Sequence, residues 1–293
     1  MRFTKMHGCG NDYIYVNAFT EKIENPEKLA VKISNRHFGI GSDGLILILP
    51  SKNADAFMQL YNADGSKGSM CGNGIRCVAK YIYDHKIIPS DRKKTFIETP
   101  SGIKEISLEI QNGKVKNATV DMGIAKLDSE LPEAININGM DLKFIGVDVG
   151  NDHAVYFVED NPAIKNIFTW PDSKFANEGK YFETHSRFPR RVNSEFIEII
   201  SRDEINMRVF ERGSGETLAC GTGATASAFA GFISGKLNDN VLVHLRGGDL
   251  RIKINPDNKC YMTGEAVEVF SGEIEWCIIE KIFTIFKGVF YIE

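Results

Sequence analysis

The chain has 293 residues, of which 43% are hydrophobic and 25% charged, and its formal net charge is −4 at pH 7. This composition is typical of a globular protein with one large domain or two of ordinary size. The slightly acidic charge argues against a nucleic-acid or anionic-membrane partner, and no run of about 18 apolar residues predicts a membrane-spanning helix. The first residues lack a secretory signal pattern, so we expect a cytoplasmic protein.

The first half of the chain is predicted to be mostly strand. The strand-like runs lie at 12–17, 44–49, 56–62, 95–100 and 104–122. The last of these contains Asn112-Gly113, which favours a type I′ hairpin turn. A peripheral helix is predicted over 26–38, with Pro26 suited to its first turn. A second helix is predicted to begin directly after Cys71.

The second half repeats this pattern. Its strand-like runs lie at 142–150, 153–159, 195–200, 205–211, 241–247, 250–254 and 265–275. A long helix is predicted to begin directly after Cys220 and to end at Gly235, a residue typical of helix termination. That helix is small or apolar nearly all round, which indicates that it is buried.

The six cysteines form no familiar metal or redox motif. They are Cys9, Cys71, Cys77, Cys220, Cys260 and Cys277. No C-x-x-C pair occurs and no two histidines lie within four residues of each other. We therefore expect no metal site, and in a cytoplasmic protein the thiols should stay reduced. For any single cysteine, a packed core thiol is the simplest interpretation.

Two of the cysteines, however, lie in matching segments. "MCGNGIRCVAKYI" around Cys71 aligns with "ACGTGATASAFAG" around Cys220, about half a chain away. Two copies of a Cys-Gly-x-Gly segment that open a helix indicate an internal duplication. We predict an α/β (α+β) fold of two pseudo-symmetric domains, each a curved, mostly antiparallel sheet wrapped around a central helix, with the active site at the domain interface. The predicted domains span 1–118 and 119–264, and 265–293 is predicted to form a return strand that packs on the first domain, followed by an apolar tail.

The position of the two cysteines predicts their chemistry. A helix N-terminus stabilises anions and lowers the pKa of a thiol, so both cysteines should be biased toward thiolate. The glycines at 72, 74, 221 and 223 should leave N–H groups open to a substrate carboxylate. Two facing thiols, each beside N–H groups that bind a carboxylate, suggest a racemase or epimerase that needs no cofactor. Mild oxidation is then expected to link Cys71 to Cys220.

The sequence resembles the diaminopimelate epimerases, pyridoxal-independent enzymes that interconvert LL- and meso-diaminopimelate on the route to lysine and peptidoglycan. The resemblance covers about residues 1–275 and includes proline racemase-like enzymes at the level of the wider fold. The segments that carry it are "FTKMHGCGNDYIYVN", "FGIGSDGLILI", "YNADGSKGSMCGNGIRC", "ETPSG", "GNDHAV", "RVNSEF", "ERGSGETLACGTGA" and "TGEAVEVFSGEI".

The resemblance implies a role for each matching residue. It implies that Cys71 and Cys220 are the acid/base pair, with His153 and Glu211 as polar residues beside them. The residues implied to hold the reacting centre and its carboxylate are Asn11, Gly72, Asn73, Gly221 and Thr222. Those implied to hold the distal end of the substrate are Asn62, Asn151, Asn193 and Arg212, with Glu211 nearby. The resemblance also implies a homodimer. Taken one by one, however, Asn62 and Asn151 are also explained as turn residues, and Arg212 as part of a surface ion pair.

Two departures and several alternatives remain at this stage. Asp152 and Glu265 stand where the family often has proline, and the apolar tail 277–293 runs past the usual family end. A racemase of another amino acid, such as histidine or proline, is one alternative on the same fold. A thiol redox enzyme or an amino-acid-binding protein is a more distant one.

Overall fold

The structure, a computed structural model, describes residues 1–275. The predicted apolar tail 277–293, including Cys277, lies outside the described residues. The chain forms two compact units. Within the described residues, unit 1 comprises Met1–Ala118 and 265–275, and unit 2 comprises Thr119–Gly264.

The elements of the first half lie mostly in unit 1. In chain order they are β1 (Arg2–Gly8), β2 (Asn11–Asn17), α1 (Pro26–Ser34), β3 (Gly44–Leu49), β4 (Ala56–Asn62), β5 (Lys67–Gly68), α2 (Gly72–Asp84), β6 (Lys94–Thr99), β7 (Gly102–Gln111) and β8 (Lys114–Ile124). The β7–β8 connection uses positive φ angles of 53° at Asn112 and 74° at Gly113. Both angles are those of a type I′ turn, so the predicted hairpin turn is confirmed.

The remaining elements lie in unit 2, except for the last strand. They are β9 (Lys126–Leu127), β10 (Glu133–Ile137), β11 (Met140–Asp148), β12 (Asp152–Phe157), α3 (Asp172–Glu183), β13 (Asn193–Ser201), β14 (Glu204–Glu211), β15 (Gly215–Glu216), α4 (Gly221–Ile233), β16 (Asn240–Leu245), β17 (Gly248–Ile254), β18 (Lys259–Glu265) and β19 (Val267–Glu273). Short 3-10 turns at Val158–Asp160, Pro162–Ile164 and Ile167–Thr169 precede α3.

The strand pairing confirms the duplication. In unit 1, β1–β2 is antiparallel, β2–β3 parallel, β3–β4 and β4–β5 antiparallel, β4–β6 parallel and β6–β7 antiparallel. In unit 2, β11–β12, β12–β13, β13–β14, β14–β15, β14–β16 and β16–β17 follow the same order of directions. The predicted α/β class, mostly strand with few helices, is therefore correct.

Each unit buries the helix that follows its cysteine. In α2 every residue from Asn73 to Tyr83 is buried. In α4 the buried face is built from alanine, glycine and small hydroxyl side chains, together with Phe229. Small side chains on all sides allow the strands of unit 2 to approach the helix closely. None of the described helices is long and apolar enough to cross a membrane.

Several elements differ from the predictions. Helix α1 ends at Ser34 instead of residue 38, because Asn35 turns extended and its Oδ1 accepts the N–H groups of His37 and Phe38. The strands β1, β10 and most of β18 were not predicted, nor was helix α3. The α3 sequence is largely polar and buries only Phe175, Gly179, Phe182 and Glu183, so its apolar period is weak.

Gly179 makes a testable contribution to the packing of α3. A Cβ at this position would lie 2.2 Å from Cδ2 of Phe210. We expect Gly179→Ala to destabilise the protein by about 2 kcal/mol, since overpacking of about 3 kcal/mol exceeds a helix-propensity gain of about 1 kcal/mol. Thermal unfolding of the full chain measures the effect. Asn177→Ala, at an exposed position of the same helix, is the control and should not lower the midpoint. An unchanged midpoint for Gly179→Ala would contradict this packing.

Candidate active site

Cys71 is the N-cap of helix α2. Its backbone is extended, with φ −139° and ψ 116°, and its Sγ accepts the N–H of Gly74 at 3.3 Å. Capping side chains satisfy N–H groups that the first helical turn leaves without partners. A Cβ at position 74 would lie 2.8 Å from Cδ1 of Ile46 and 3.5 Å from Sγ of Cys71. Glycine at this position therefore leaves room for the Ile46 side chain of β3 beside the helix.

Asn11 connects this thiol to a charged cluster. Sγ of Cys71 donates to Oδ1 of Asn11 at 3.2 Å, and Nδ2 of Asn11 donates to Oδ2 of Asp43 at 2.8 Å. Asp43 also accepts from the backbone N–H of Asp12 and from Arg36. Asn11 thus presents its oxygen to the thiol. Asp43 was not among the residues singled out from the sequence, although it lies in the quoted segment "FGIGSDGLILI".

The first turn of α2 places Gly72 and Asn73 beside Cys71. Asn73 is buried, and its Oδ1 has no hydrogen-bond partner among the described residues. Arg76, which is fully buried, donates from Nη1 to the Gly72 carbonyl oxygen at 3.2 Å and from Nε to the Glu265 carbonyl oxygen at 3.4 Å. Its guanidinium therefore places a positive charge within the same helical turn as the thiol.

Cys220 caps helix α4 in the same way. Its φ is −123° and ψ 111°, and its Sγ accepts the N–H of Gly223 at 3.3 Å. The hydroxyl of Thr222 lies 3.5 Å from the sulfur. Glu211, at the end of β14, accepts a hydrogen bond from the Thr217 hydroxyl, and its carboxyl group also contacts Cys220. Unlike Cys71, this thiol therefore has carboxylate neighbours.

His153 lies beside this site, hydrogen-bonded on both ring nitrogens. Its Nδ1 is 2.7 Å from Oε1 of Glu195, and its Nε2 is 3.1 Å from Oδ1 of Asn151. Nδ2 of Asn151 lies 3.5 Å from Oγ1 of Thr222. Glu195 was missed by the sequence analysis. The strand "SEFIEII" contains two acidic residues, Glu195 and Glu198, and nothing in its sequence shows that Glu195 is the buried one.

The residues expected to hold the distal end of a substrate are partly engaged by the protein itself. Asn193 donates to the Asp152 carbonyl oxygen at 3.0 Å and accepts the Arg212 N–H at 3.0 Å. Asp152, one of the two departures from the family pattern, forms a bidentate pair with Arg190 at 2.8 and 3.1 Å. Arg212 is exposed, and its guanidinium donates a hydrogen bond to the Arg190 carbonyl oxygen at 3.4 Å.

Asn62 stands in a turn. It closes the β4–β5 connection, where its Nδ2 donates to Oγ of Ser66 at 2.9 Å and its carbonyl oxygen accepts the N–H of Gly65 at 2.9 Å. Thus unit 1 brings together Asn11, Cys71, Gly72 and Asn73. Unit 2 brings together Asn151, His153, Asn193, Glu211, Arg212, Cys220, Gly221 and Thr222.

Burial changes the expected acidity of the thiols. It raises the pKa of Cys71 above the usual 9.0, although the N–H groups of Gly74 and Asn73 and the charge of Arg76 act in the opposite direction. Burial, followed by the carboxylates of Glu211 and Glu195, raises the pKa of Cys220 well above 9.0. The expected bias toward thiolate is wrong for the free protein, because loss of hydration outweighs the helix N-terminus. Burial also raises the pKa of Glu211.

The prediction that the glycine N–H groups are all open to a substrate carboxylate also needs correction. The N–H groups of Gly74 and Gly223 are bound to sulfur, so they are not open to a ligand. The N–H groups that remain in each first turn are those of Gly72, and of Gly221 and Thr222, whereas the N–H of Asn73 also acts on the Cys71 sulfur. In residues 1–275 no group of three or more His, Cys, Asp and Glu side chains could hold a metal ion.

Solved structures with this fold include a probable proline racemase and proteins of the phenazine biosynthesis PhzF family. A probable proline racemase from Agrobacterium radiobacter, solved with bound carbonate, matches 94% of this chain and 92% of its own with a TM-score of 0.70 at 14% identity. A protein of the phenazine biosynthesis PhzF family from Bacillus anthracis matches 94% of this chain and 99% of its own with a TM-score of 0.67 at 15% identity. The fold is therefore that of the proline racemase-like and PhzF proteins.

Sequence comparison identifies the family within that fold. The profile of the diaminopimelate epimerase family matches residues 3–127 and 145–269, one segment in each half of the duplication. The diaminopimelate epimerase of Agathobacter rectalis is 48% identical over 94% of this chain and 99% of its own length. That of Acetivibrio thermocellus is 48% identical over 94% of this chain and 99% of its own length. The chain belongs to the diaminopimelate epimerase family.

The raised thiol pKa values predict slow alkylation at neutral pH. Because the thiolate is the reactive form, both cysteines should react with iodoacetamide more slowly at about pH 7.5 than an unperturbed thiol does. The rates should rise with pH to beyond pH 9, and Cys220 should respond at higher pH than Cys71. Peptide-resolved mass spectrometry over a pH series measures both sites in one sample. A plateau below about pH 8 at either site would contradict the effect of burial.

Proposed function

We propose that this protein interconverts LL- and meso-diaminopimelate by proton transfer at one α-carbon, on the route to lysine and peptidoglycan. The observation that supports it most directly is the pair of cysteine caps, one at the start of the central helix of each duplicated unit. The family membership supports the substrate. No cofactor is part of the proposed mechanism.

In the proposed reaction Cys71 and Cys220 serve opposite faces of the α-carbon. The thiolate of one cysteine takes the α-proton, the electron pair remains on the substrate carbon, and the thiol of the other cysteine delivers its proton to the opposite face. The protonation states of the two cysteines are exchanged after one turnover, and the reverse reaction restores them. The raised thiol pKa values have two opposite effects on this role, because the thiolate is a stronger base but a smaller fraction of it is present at neutral pH.

The first turns of α2 and α4 suit the carboxylate beside the reacting carbon. The backbone N–H groups of Gly72 and Asn73, and of Gly221 and Thr222, lie at helix N-termini, which favour negative charge. Asn11 adds a polar contact next to Cys71. In unit 2, His153 and Glu211 adjoin Cys220 and assist the proton transfer in this proposal.

We assign the distal amino-acid end of the substrate to Arg212 with Asn62, Asn151 and Asn193. The exposed guanidinium of Arg212 can bind a carboxylate through two parallel hydrogen bonds. Asparagine can both donate and accept, so the three amides suit an end that carries an ammonium and a carboxylate. Asn193 acts partly through the protein, because it holds the Asp152 carbonyl oxygen and the Arg212 N–H.

A cytoplasmic homodimer belongs to the same proposal. The support is the family resemblance, and the formal net charge of −4 shows that the protein as a whole is not basic. We infer no nucleic-acid or membrane partner for this activity.

The proposed reaction can be tested by isotope exchange. Incubation of the protein with LL-diaminopimelate in D₂O, without added cofactor, should give meso product with deuterium at the inverted α-carbon. Cys71→Ala and Cys220→Ala should each lower kcat by about a thousandfold or more, because each removes one acid/base group. Nuclear magnetic resonance of the product and chiral chromatography provide the measurements.

Matched controls are available in the same units. Cys77→Ala in α2 and Cys260→Ala in β18 remove buried thiols that take no part in the proposed reaction, and their effect on kcat should be small. Turnover by Cys220→Ala close to that of the unmodified protein would refute the two-base mechanism. Faster conversion of histidine or proline than of diaminopimelate would refute the substrate assignment.

The role of Arg212 can be tested by a substitution that keeps its charge. Arg212→Lys should lower kcat/KM for diaminopimelate about ten- to a hundredfold, because lysine cannot form the bidentate contact worth about 1.5–3 kcal/mol. Arg190→Lys is the control, since Arg190 pairs with Asp152 instead. Steady-state kinetics measures both variants. Equal losses in the two variants would exclude a specific contact with Arg212.

A further inference from the structure

Asp43, directly before β3, is bonded to the first residues of β2. Its Oδ2 accepts Nδ2 of Asn11 at 2.8 Å and the backbone N–H of Asp12 at 3.1 Å, and its Oδ1 accepts Nη2 of Arg36 at 2.9 Å. The backbone N–H of Asp43 donates in turn to the Asp12 carbonyl oxygen at 2.8 Å. The arginine contact is a charge-assisted hydrogen bond, which stabilises the ionised carboxylate.

This carboxylate determines the orientation of the Asn11 amide. An ionised carboxylate can only accept hydrogen bonds, so the atom of Asn11 that faces it must be the nitrogen. A rotated amide would place two acceptor oxygens against each other at about the 2.8 Å of the present contact. The other end of the amide, Oδ1, lies 3.2 Å from Sγ of Cys71. The contact with Asp43 therefore assigns the oxygen of Asn11 to the thiol, although amide oxygen and nitrogen are similar in shape.

The orientation of Asn11 affects the acidity of Cys71. An amide oxygen accepts the proton of the thiol but repels the thiolate, and a hydrogen bond to the neutral form of an acid opposes ionisation. A rotated amide would have the opposite effect, because its N–H groups would donate to the thiolate. The other groups that act on this sulfur, Arg76 and the hydroxyl of Tyr13, favour the thiolate. Asn11 is therefore the neighbour whose effect depends on its orientation.

The charges around Asp43 are balanced within one cluster. Asp12 pairs with Lys5 and with Arg36, and Arg36 also pairs with Asp43. These two carboxylates and two cations carry no net charge together. The cluster thus provides a fixed acceptor for Asn11 without a net negative charge near the thiol.

We propose that Asp43 is a positioning residue that holds the Asn11 amide with its oxygen toward Cys71, so that the free protein keeps Cys71 as a thiol. This inference deepens the proposed function, because it rests on Cys71 being one of the two acid/base groups. It assigns to Asp43 no contact with the substrate.

The experiment measures the pH dependence of the alkylation of Cys71 and Cys220 by iodoacetamide, in the full chain without substrate. In Asp43→Ala the amide of Asn11 can rotate and donate to the sulfur. The midpoint for Cys71 should then fall by about one pH unit, which corresponds to about 1.4 kcal/mol, and the midpoint for Cys220 should not change. A midpoint for Cys71 that stays the same or rises would overturn the proposal.

Two variants separate orientation from loss of charge and from loosening of unit 1. Asp43→Asn removes the same charge, but its amide oxygen can take the place of Oδ2 and accept from Asn11 and Asp12. Its midpoint for Cys71 should stay close to that of the unmodified protein, and a shift as large as in Asp43→Ala would overturn the proposal. Asp55→Ala is the matched control, since Asp55 also accepts from a backbone N–H, a side chain and an arginine. A comparable shift in this control would count equally against the proposal.

A double substitution tests whether the effect passes through Asn11. In an Asn11→Leu background, Asp43→Ala should no longer lower the midpoint for Cys71. A further fall of about one pH unit in the double variant would overturn the proposal, because the carboxylate would then act on the thiol without the amide.

Nitrogen NMR keeps the test decisive even if Asp43→Ala fails to fold. In ¹⁵N-asparagine-labelled protein, the side-chain amide signal of Asn11 is identified by its loss in Asn11→Leu. The N–H groups should keep their shifts as the thiol ionises above pH 9, because they face Asp43. A downfield movement in step with Cys71 would mean that they face the sulfur, and it would overturn the proposal. These readouts need no substrate, so a failure of diaminopimelate turnover would leave them interpretable.

Discussion

In each unit the buried helix begins with the same hydrogen bond, in which the sulfur of a cysteine accepts the N–H of the third helical residue. Serine, threonine and aspartate usually make this contact, and a thiol makes it less strongly. The substitution of sulfur for oxygen gives the helix start a group that can exchange a proton. Glycine suits the third position, because a Cβ would lie 2.8 Å from Cδ1 of Ile46 at position 74 and 2.7 Å from Oε1 of Glu195 at position 223. The capping cysteine and the glycine at the third helical position therefore occur together, once in each unit.

The two copies of this cap have different electrostatic surroundings. Around Cys71 the nearby charge is the cation of Arg76, and the contacting groups are the Asn11 amide and the Tyr13 hydroxyl. Around Cys220 the nearby charges are the carboxylates of Glu211 and Glu195. The backbone duplication has been kept while the side chains have diverged. The two thiols are therefore not equivalent in the free protein.

Features that depend on local chemistry were predictable from the sequence. The Asn112-Gly113 turn, the repeated Cys-Gly-x-Gly segment and the helices behind it need only neighbouring residues to specify them. Features set by packing were not predictable from the sequence. Helix α3 carries a glycine in its interior because Phe210 leaves no room for a side chain, so its sequence is a poor helix pattern. The raised thiol pKa values and the His153–Glu195 pair follow from burial, and a strand sequence does not reveal which of its polar residues are buried.

The closure of unit 1 by β19 affects how the protein is made. Strand β1 pairs on one side with β2 and on the other with β19, so residues near the start of the chain complete their sheet with residues up to Glu273. Unit 2 is continuous and lies between them in the sequence. On the ribosome, unit 2 therefore has all its strands before unit 1 has its last one, the reverse of the usual N-terminal-first order of folding. Until β19 emerges, one edge of β1 offers unpaired backbone groups to other chains, and chaperone binding or rapid completion of synthesis would protect this edge.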